Sequence, residues 1–368
     1  MSNNTTGPAY QLHAMGQSLW LDNISRHLLT SGTLRRYIDG YAVTGLTSNP
    51  TIFEQALRDG DQYDQAIRSR ASPSMSGEML FFELALEDLG AAADLFRPIH
   101  DATGGIDGWV SLEVSPMLAG DTSGTVRAAA QLHARAARPN LFIKIPGTAA
   151  GIPAIEDSVF AGIPINVTLL FSREQYLAAA QAYMRAIERR LAAGLDPRVG
   201  SVASIFVSRW DVAVRSEVSG ALRNRIGIAI AMQTYQAYRE LLASERWQRL
   251  AAAGARPQRL LWASTGTKDP AASDVLYVEA LAAPDTINTM PEQTLLAFAD
   301  HGRIGGLLSA DGVDAEAVLA GLAHERVDAR SLATRLQLEG TASFVGSWKA
   351  LLDRIAAKRA LLTAVSAS

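Results

Sequence analysis

Short runs of apolar and β-branched residues alternate along this chain with longer stretches whose apolar positions recur every three to four residues. Eight such runs stand out: Leu19–Asp22, Ala42–Thr47, Trp109–Val114, Leu141–Pro146, Ile163–Leu169, Val202–Val207, Leu260–Ser264 and Thr286–Thr289. Segments of helical spacing lie between them, including Glu78–Phe96, Ser123–Arg138, Ser172–Ala193 and Asp211–Glu245. The first pattern predicts strands and the second helices. Strands alternating one by one with helices predict a parallel sheet, and eight of them predict closure. The expected fold is therefore α/β, a (β/α)8 TIM barrel with additional helices. An open doubly wound sheet is the competing arrangement. It ordinarily carries a glycine-rich first turn, and no G-x-G-x-x-G occurs here.

From about Asp311 to Ala364 the pattern is helical without a further strand. This predicts a C-terminal helical appendage (311–368) packed on a catalytic barrel (16–310), preceded by an N-terminal segment (1–15) that need not be ordered. The polar stretch Asp59–Ser76 reads as an irregular insertion between the second and third strands.

Composition narrows the chemistry. A chain of 368 residues, 48% hydrophobic and 19% charged, can bury a large core. Its net charge of -3 provides no strong field for nucleic acid or anionic membranes, so an anionic ligand must be held by local donors. There is no cysteine, which excludes disulfides, thiolate metal sites and cysteine nucleophiles. The six histidines are scattered without an H-x-x-x-H pair, so no metal site is expected. Met1–Pro8 has no signal-peptide pattern and no apolar run approaches a membrane span, so a cytoplasmic setting is expected. Nothing in the pattern sets an oligomeric state.

In a parallel barrel the reactive groups sit at the C-terminal ends of the strands. Polar residues recur there: Asp22, Asn49, Glu113, Lys144, Asn166, Thr168, Ser204, Arg209, Ser264 and Lys268. Lys144 lies among Phe142, Ile143, Ile145 and Pro146. Pointing into the barrel it would be desolvated, which favours the neutral amine that attacks ketones to form a Schiff base. Pointing outward it would be an ordinary lysine reaching water from a strand end. Asp22 and Glu113 can divide base and proton-relay work, or serve as ion-pair partners of the lysine. Arg209, Ser264 and Lys268, with the Ser-Thr-Gly-Thr loop, suit a phosphate, or make a surface turn.

These stretches carry a resemblance. LWLDNISR, VTGLTSNPTIF, GWVSLEVSP, NLFIKIPGT, GIPINVTLLFSREQY, SVASIFVSRWD, LLWASTGTKDP and NTMPEQTLLAFADHG occur in this order from about Gln17 to Gly302. Together they resemble the transaldolase family, in particular its longer bacterial form. The resemblance implies that Lys144 forms the Schiff base with a donor ketose. Asp22 then takes the proton of the hydroxyl whose carbon–carbon bond breaks. Glu113 works through a water held partly by Thr168. Asn49 and Asn166 hold donor hydroxyls, Ser204 lies beside the three-carbon fragment, and Arg209, Ser264 and Lys268 bind phosphate. Related aldolases place a tyrosine on the sixth strand where this chain has Phe206, and a phenyl ring cannot relay a proton, so transfer should outrun release.

The implied substrates are sugar phosphates: sedoheptulose 7-phosphate or fructose 6-phosphate as donor, glyceraldehyde 3-phosphate or erythrose 4-phosphate as acceptor. The implied setting is the non-oxidative pentose phosphate pathway, with no cofactor. An enzyme for an unusual sugar phosphate would keep the lysine and differ in acceptor loops. A binding protein without catalysis would form no imine. A purely structural barrel gives no reason for so many polar strand ends.

Overall fold

The computed structural model describes residues 7–366 apart from 59, 71, 73, 310 and 311, and side chains as far as Leu362. Eight parallel strands close in sequence order: β1 (Ser18–Asp22), β2 (Val43–Thr47), β3 (Val110–Glu113), β4 (Leu141–Pro146), β5 (Ile165–Leu170), β6 (Ser201–Phe206), β7 (Gln258–Ala263) and β8 (Thr286–Met290). The (β/α)8 barrel is therefore the observed architecture. Its strands differ from expectation by a residue or two at the ends. Ala42 and Ser264, expected inside strands, take left-handed backbone (φ 52° and 57°) and stand just outside them.

Period-two alternation explains how one barrel holds two cores. Residues such as Leu21, Leu112, Ile143, Val167 and Ile205 point outward into the layer beneath the helices. Their neighbours of opposite parity, Trp20, Phe142, Val202, Leu261 and Ile287, fill the lower interior. Trp109 stacks on Phe142 with centroids 4.1 Å apart, and Trp20 lies 6.2 Å from Phe142. On β1, β4, β6 and β8 a polar residue follows two positions later on the same inward face (Asp22, Lys144, Ser204 and Thr289), so an apolar floor underlies a polar mouth.

Gly45, opposite Trp20 in the β1–β2 register, makes room for that floor. A Cβ there would lie 2.5 Å from the indole ring of Trp20, which is fully buried and donates from Nε1 to Asp107 Oδ1 (2.8 Å). Gly45→Ala should therefore destabilise the fold by about 2 kcal/mol through overpacking. A urea-denaturation midpoint equal to that of the wild type would show that the floor relaxes freely.

Two expectations about these segments are corrected, and a third helix is found longer than expected. Asp211–Glu245 is not one helix: Ser208–Val214 ends, residues 215–225 turn, and Ile226–Ala243 follows. The break is set by Asp211, whose carboxylate accepts from the amides of Ile226 and Gly227 at 2.9 and 3.1 Å and so caps the second helix. Within the expected irregular insertion, Asp64–Arg70 is helical, with Ala66 and Ile67 buried; Asp59, where that insertion was to begin, lies outside the described residues. The helix expected at Glu78–Phe96 runs from Gly77 to Ala102, capped by Ser76 and passing through Pro98.

In the N-terminal segment, Pro8–Ala14 forms a helix with Ala9 and Leu12 buried, while residues 1–6 lie outside the described residues. The expected boundary at Ala310 and Asp311 also lies outside them. The tail forms two helices, Val313–His324 and Ala329–Ser366. The second packs on the helices Pro50–Arg58, Asp64–Arg70 and Gly77–Ala102. Among the described residues no helix is long and apolar enough to cross a membrane.

Candidate active site

The polar strand ends meet at the C-terminal mouth of the barrel. A cavity of about 140 Å³ opens there, lined by Asp22, Asn49, Lys144, Thr168, Ser204, Phe206, Arg209, Ser264 and Lys268, all expected from sequence, and by Thr47, Thr289 and Phe344, which were not. An outer cleft of about 750 Å³ adjoins it and shares Asp22, Asn49, Arg209, Ser264, Lys268 and Phe344. The outer volume is typical of a small-molecule site, whereas the inner one admits only a few heavy atoms.

Lys144 points inward and is 5% exposed. Its Nζ donates to the carbonyl of Ser48 (3.2 Å) and lies 3.4 Å from Glu113 Oε2. Strand pairing causes this meeting, since Glu113 stands opposite Lys144 in the β3–β4 register. Glu113 is also 5% exposed, and burial raises its carboxyl to about 7 against the lowering influence of Lys144. Glu113 Oε2 and Thr168 Oγ1 are both buried and without a hydrogen-bond partner among the described residues.

Asp22, half-buried at the end of β1, accepts a 2.7 Å hydrogen bond from Thr47 Oγ1, which is 2.6 Å from Thr289 Oγ1. Burial raises the Asp22 carboxyl above its ordinary range; Lys144, the Thr47 bond, Arg209 and Lys268 pull it partly back. Asn166 stands behind the cavity wall and does not line it. It donates to Ser111 Oγ (3.1 Å) and accepts from Ser204 Oγ (2.7 Å), so Ser204 is the cavity-facing end of a buried polar chain. Asn49 Oδ1 accepts from the amide of Ile52 (3.1 Å), which fixes the turn after β2.

Arg209 lies over the rings of Phe206 and Phe344, its Cζ 5.1 and 5.9 Å from their centroids. Burial lowers its pKa, and the charges of Asp22 and Glu113 oppose that shift. Ser264 Oγ is 2.9 Å from Ser208 Oγ, and Lys268 brings a second cation to the rim. Among the described residues no group of three His, Cys, Asp or Glu side chains is placed to hold a metal ion.

The family model described as Transaldolase/Fructose-6-phosphate aldolase matches residues 19–355. The chain belongs to that family. A transaldolase of Thermobifida fusca (strain YX) is 46% identical over 365 residues, covering 97% of this chain and 99% of its own. One from Parafrankia sp. (strain EAN1pec) is 45% identical over 361 residues, covering 95% and 97%. Transaldolase 2 of Nostoc sp. (strain PCC 7120) is 37% identical over 374 residues, covering 96% and 98%.

The residues missed from sequence divide in two. Thr47 and Thr289 share the inward parity of Gly45 and Ile287, so alternation along β2 and β8 could have found them. Phe344 comes from the C-terminal helix, and no local pattern marks it.

Proposed function

We propose that this chain is a transaldolase that carries a dihydroxyacetone unit on Lys144. The observation that carries this reading is the placement of Lys144: a buried amine at the floor of a small cavity, 3.4 Å from a buried carboxyl raised to about 7, with a second raised carboxyl, Asp22, on the cavity wall.

Lys144 Nζ attacks the donor ketone, giving a carbinolamine that loses water to become an imine. Asp22 takes the proton from the hydroxyl beyond the scissile bond. The carbon–carbon bond breaks, the aldehyde leaves, and its electron pair remains on the three-carbon fragment as an enamine. Attack of that enamine on an acceptor aldehyde reverses these steps.

Glu113, titrating near neutrality, is suited to move protons during carbinolamine formation and breakdown. Glu113 Oε2 and Thr168 Oγ1 are both buried without a hydrogen-bond partner among the described residues, which suits each to hold the water through which Glu113 relays protons. Asn49, Ser204 and, through Ser204, Asn166 hold the fragment's hydroxyls. Arg209, Ser264 and Lys268 hold the phosphate at the rim, consistent with their place in both the inner cavity and the outer cleft. The donor is sedoheptulose 7-phosphate or fructose 6-phosphate, and the acceptor glyceraldehyde 3-phosphate or erythrose 4-phosphate. The reaction belongs to the non-oxidative pentose phosphate pathway, in the cytoplasm. It uses side chains and water alone.

Incubation with fructose 6-phosphate followed by borohydride should leave a reduced three-carbon adduct, found by peptide mass spectrometry on the peptide containing Lys144. Folded protein that yields no adduct would reject the imine.

A further inference from the structure

We propose that Phe344 keeps bulk water from delivering a proton to the enamine carbon of the covalent intermediate, so that the three-carbon fragment is transferred rather than released. The inference rests on the imine chemistry proposed above. Phe344 is 4% exposed, and its ring centroid lies 5.8 Å from Lys144 Nζ and 5.9 Å from Arg209 Cζ. It lines both the inner cavity and the outer cleft, and so stands where the two meet.

The helix that carries it, Ala329–Ser366, is tied directly to the strands that build the site. Gln337, seven residues earlier and hence on nearly the same helical face, donates from Nε2 to the carbonyls of Gly147 (3.0 Å) and Leu169 (2.9 Å). Gly147 directly follows β4, which carries Lys144, and Leu169 directly follows Thr168. Leu169 has left-handed backbone (φ 58°) where the β5–β6 register shifts, and Gln337 takes up its carbonyl. Farther along, Ser347 Oγ meets Thr51 Oγ1 at 2.8 Å, Trp348 packs edge-on against Phe81 at 5.0 Å, and Arg354 pairs with Glu54 at 3.0 Å. Contacts before and after Phe344 thus hold its ring at the mouth.

The chemistry needs such a ring. The enamine is lost when its nucleophilic carbon takes a proton. Water then adds to the resulting iminium carbon and a proton leaves the adduct. The C–N bond breaks, and dihydroxyacetone departs with the Lys144 amine restored. The net cost is one water per fragment. Phe206 blocks relay from β6 but cannot stop bulk water from protonating the enamine carbon on the side of the C-terminal helix; Phe344 covers that side without offering a proton.

The test compares two rates in the full chain with fructose 6-phosphate: dihydroxyacetone release without acceptor, and transfer to erythrose 4-phosphate. Phe344→Ala should raise the ratio of release to transfer by about tenfold, equivalent to a small change in relative barriers. Phe344→Leu, which keeps apolar bulk, should give an intermediate ratio. Gln337→Ala should raise the ratio without touching the cavity, and decides the matter if Phe344→Ala does not fold. A merely structural role would lower both rates together; an unchanged ratio in folded variants overturns the inference. Borohydride trapping of the wild type separates the two layers: no adduct on Lys144 removes the underlying imine, whereas an adduct with unchanged ratios removes only the role of Phe344.

Discussion

Lys144→Met should abolish transfer, with a fall in kcat/KM on the order of 10⁵-fold, equivalent to about 7 kcal/mol of transition-state stabilisation. Among the described residues two lysines line the inner cavity, Lys144 and Lys268, and it is Lys144 that is buried beside Glu113. A thioether cannot form an imine, so the borohydride adduct should vanish with the activity. Removing one member of a buried ion pair normally strands the other charge. Here Glu113 is already raised to about 7 with the lysine present, and loss of the lysine's lowering influence pushes it higher. The carboxyl can then take up a proton near neutral pH instead of remaining as an unpaired buried charge, and the variant should fold. Lys144→Arg retains a charge but no attacking amine, and should be equally inactive. Residual activity above about one hundredth of wild type in either variant would contradict the expected nucleophilic loss and move the nucleophile elsewhere.

The barrel was legible because its strands are short and apolar and alternate strictly with helices. The site was legible because barrel strands alternate their side chains in and out. Once Phe142 is inside, Lys144 is inside; once Trp20 is inside, so is Asp22. The same parity places Glu113, Asn166, Thr168 and Ser204, though it does not say which of them reach the cavity, and Asn166 stands behind it. Register was not legible, yet it decides that Glu113 pairs with Lys144.

Long-range packing escaped most completely. Apolar residues on Ala329–Ser366 do not reveal that Phe344 turns toward the barrel mouth, because the partners of that face are strand ends far away in sequence. Helix Asp64–Arg70 was hidden for a similar reason. Its support includes the Lys358–Asp64 ion pair at 2.7 Å, which its own composition cannot show. The interruption after Val214 depends on one side chain, Asp211, choosing the amides of Ile226 and Gly227 as partners.

The placement of Asp22 leads to the sharpest separation of steps. In the proposed mechanism it acts only at carbon–carbon cleavage, after the imine has formed. Asp22→Asn should therefore lower transfer by roughly 10²- to 10⁴-fold, the usual contribution of a positioned base, while leaving imine formation at Lys144 intact. Borohydride added to the variant with fructose 6-phosphate should trap the whole six-carbon donor, where the wild type yields the three-carbon fragment, and peptide mass distinguishes them directly. The asparagine can still accept the Thr47 bond, so geometry is retained while the base is lost. The pH profile carries a second check. The base must be ionised, and burial raises its pKa above the ordinary 3.8. Single-turnover cleavage by the wild type should thus fall as pH drops through that raised value, and the residual cleavage of Asp22→Asn should lack this limb. A variant that accumulates the three-carbon adduct at the wild-type rate would place the base on another residue. Glu113 would be the first to test, since it is the other raised carboxyl beside Lys144.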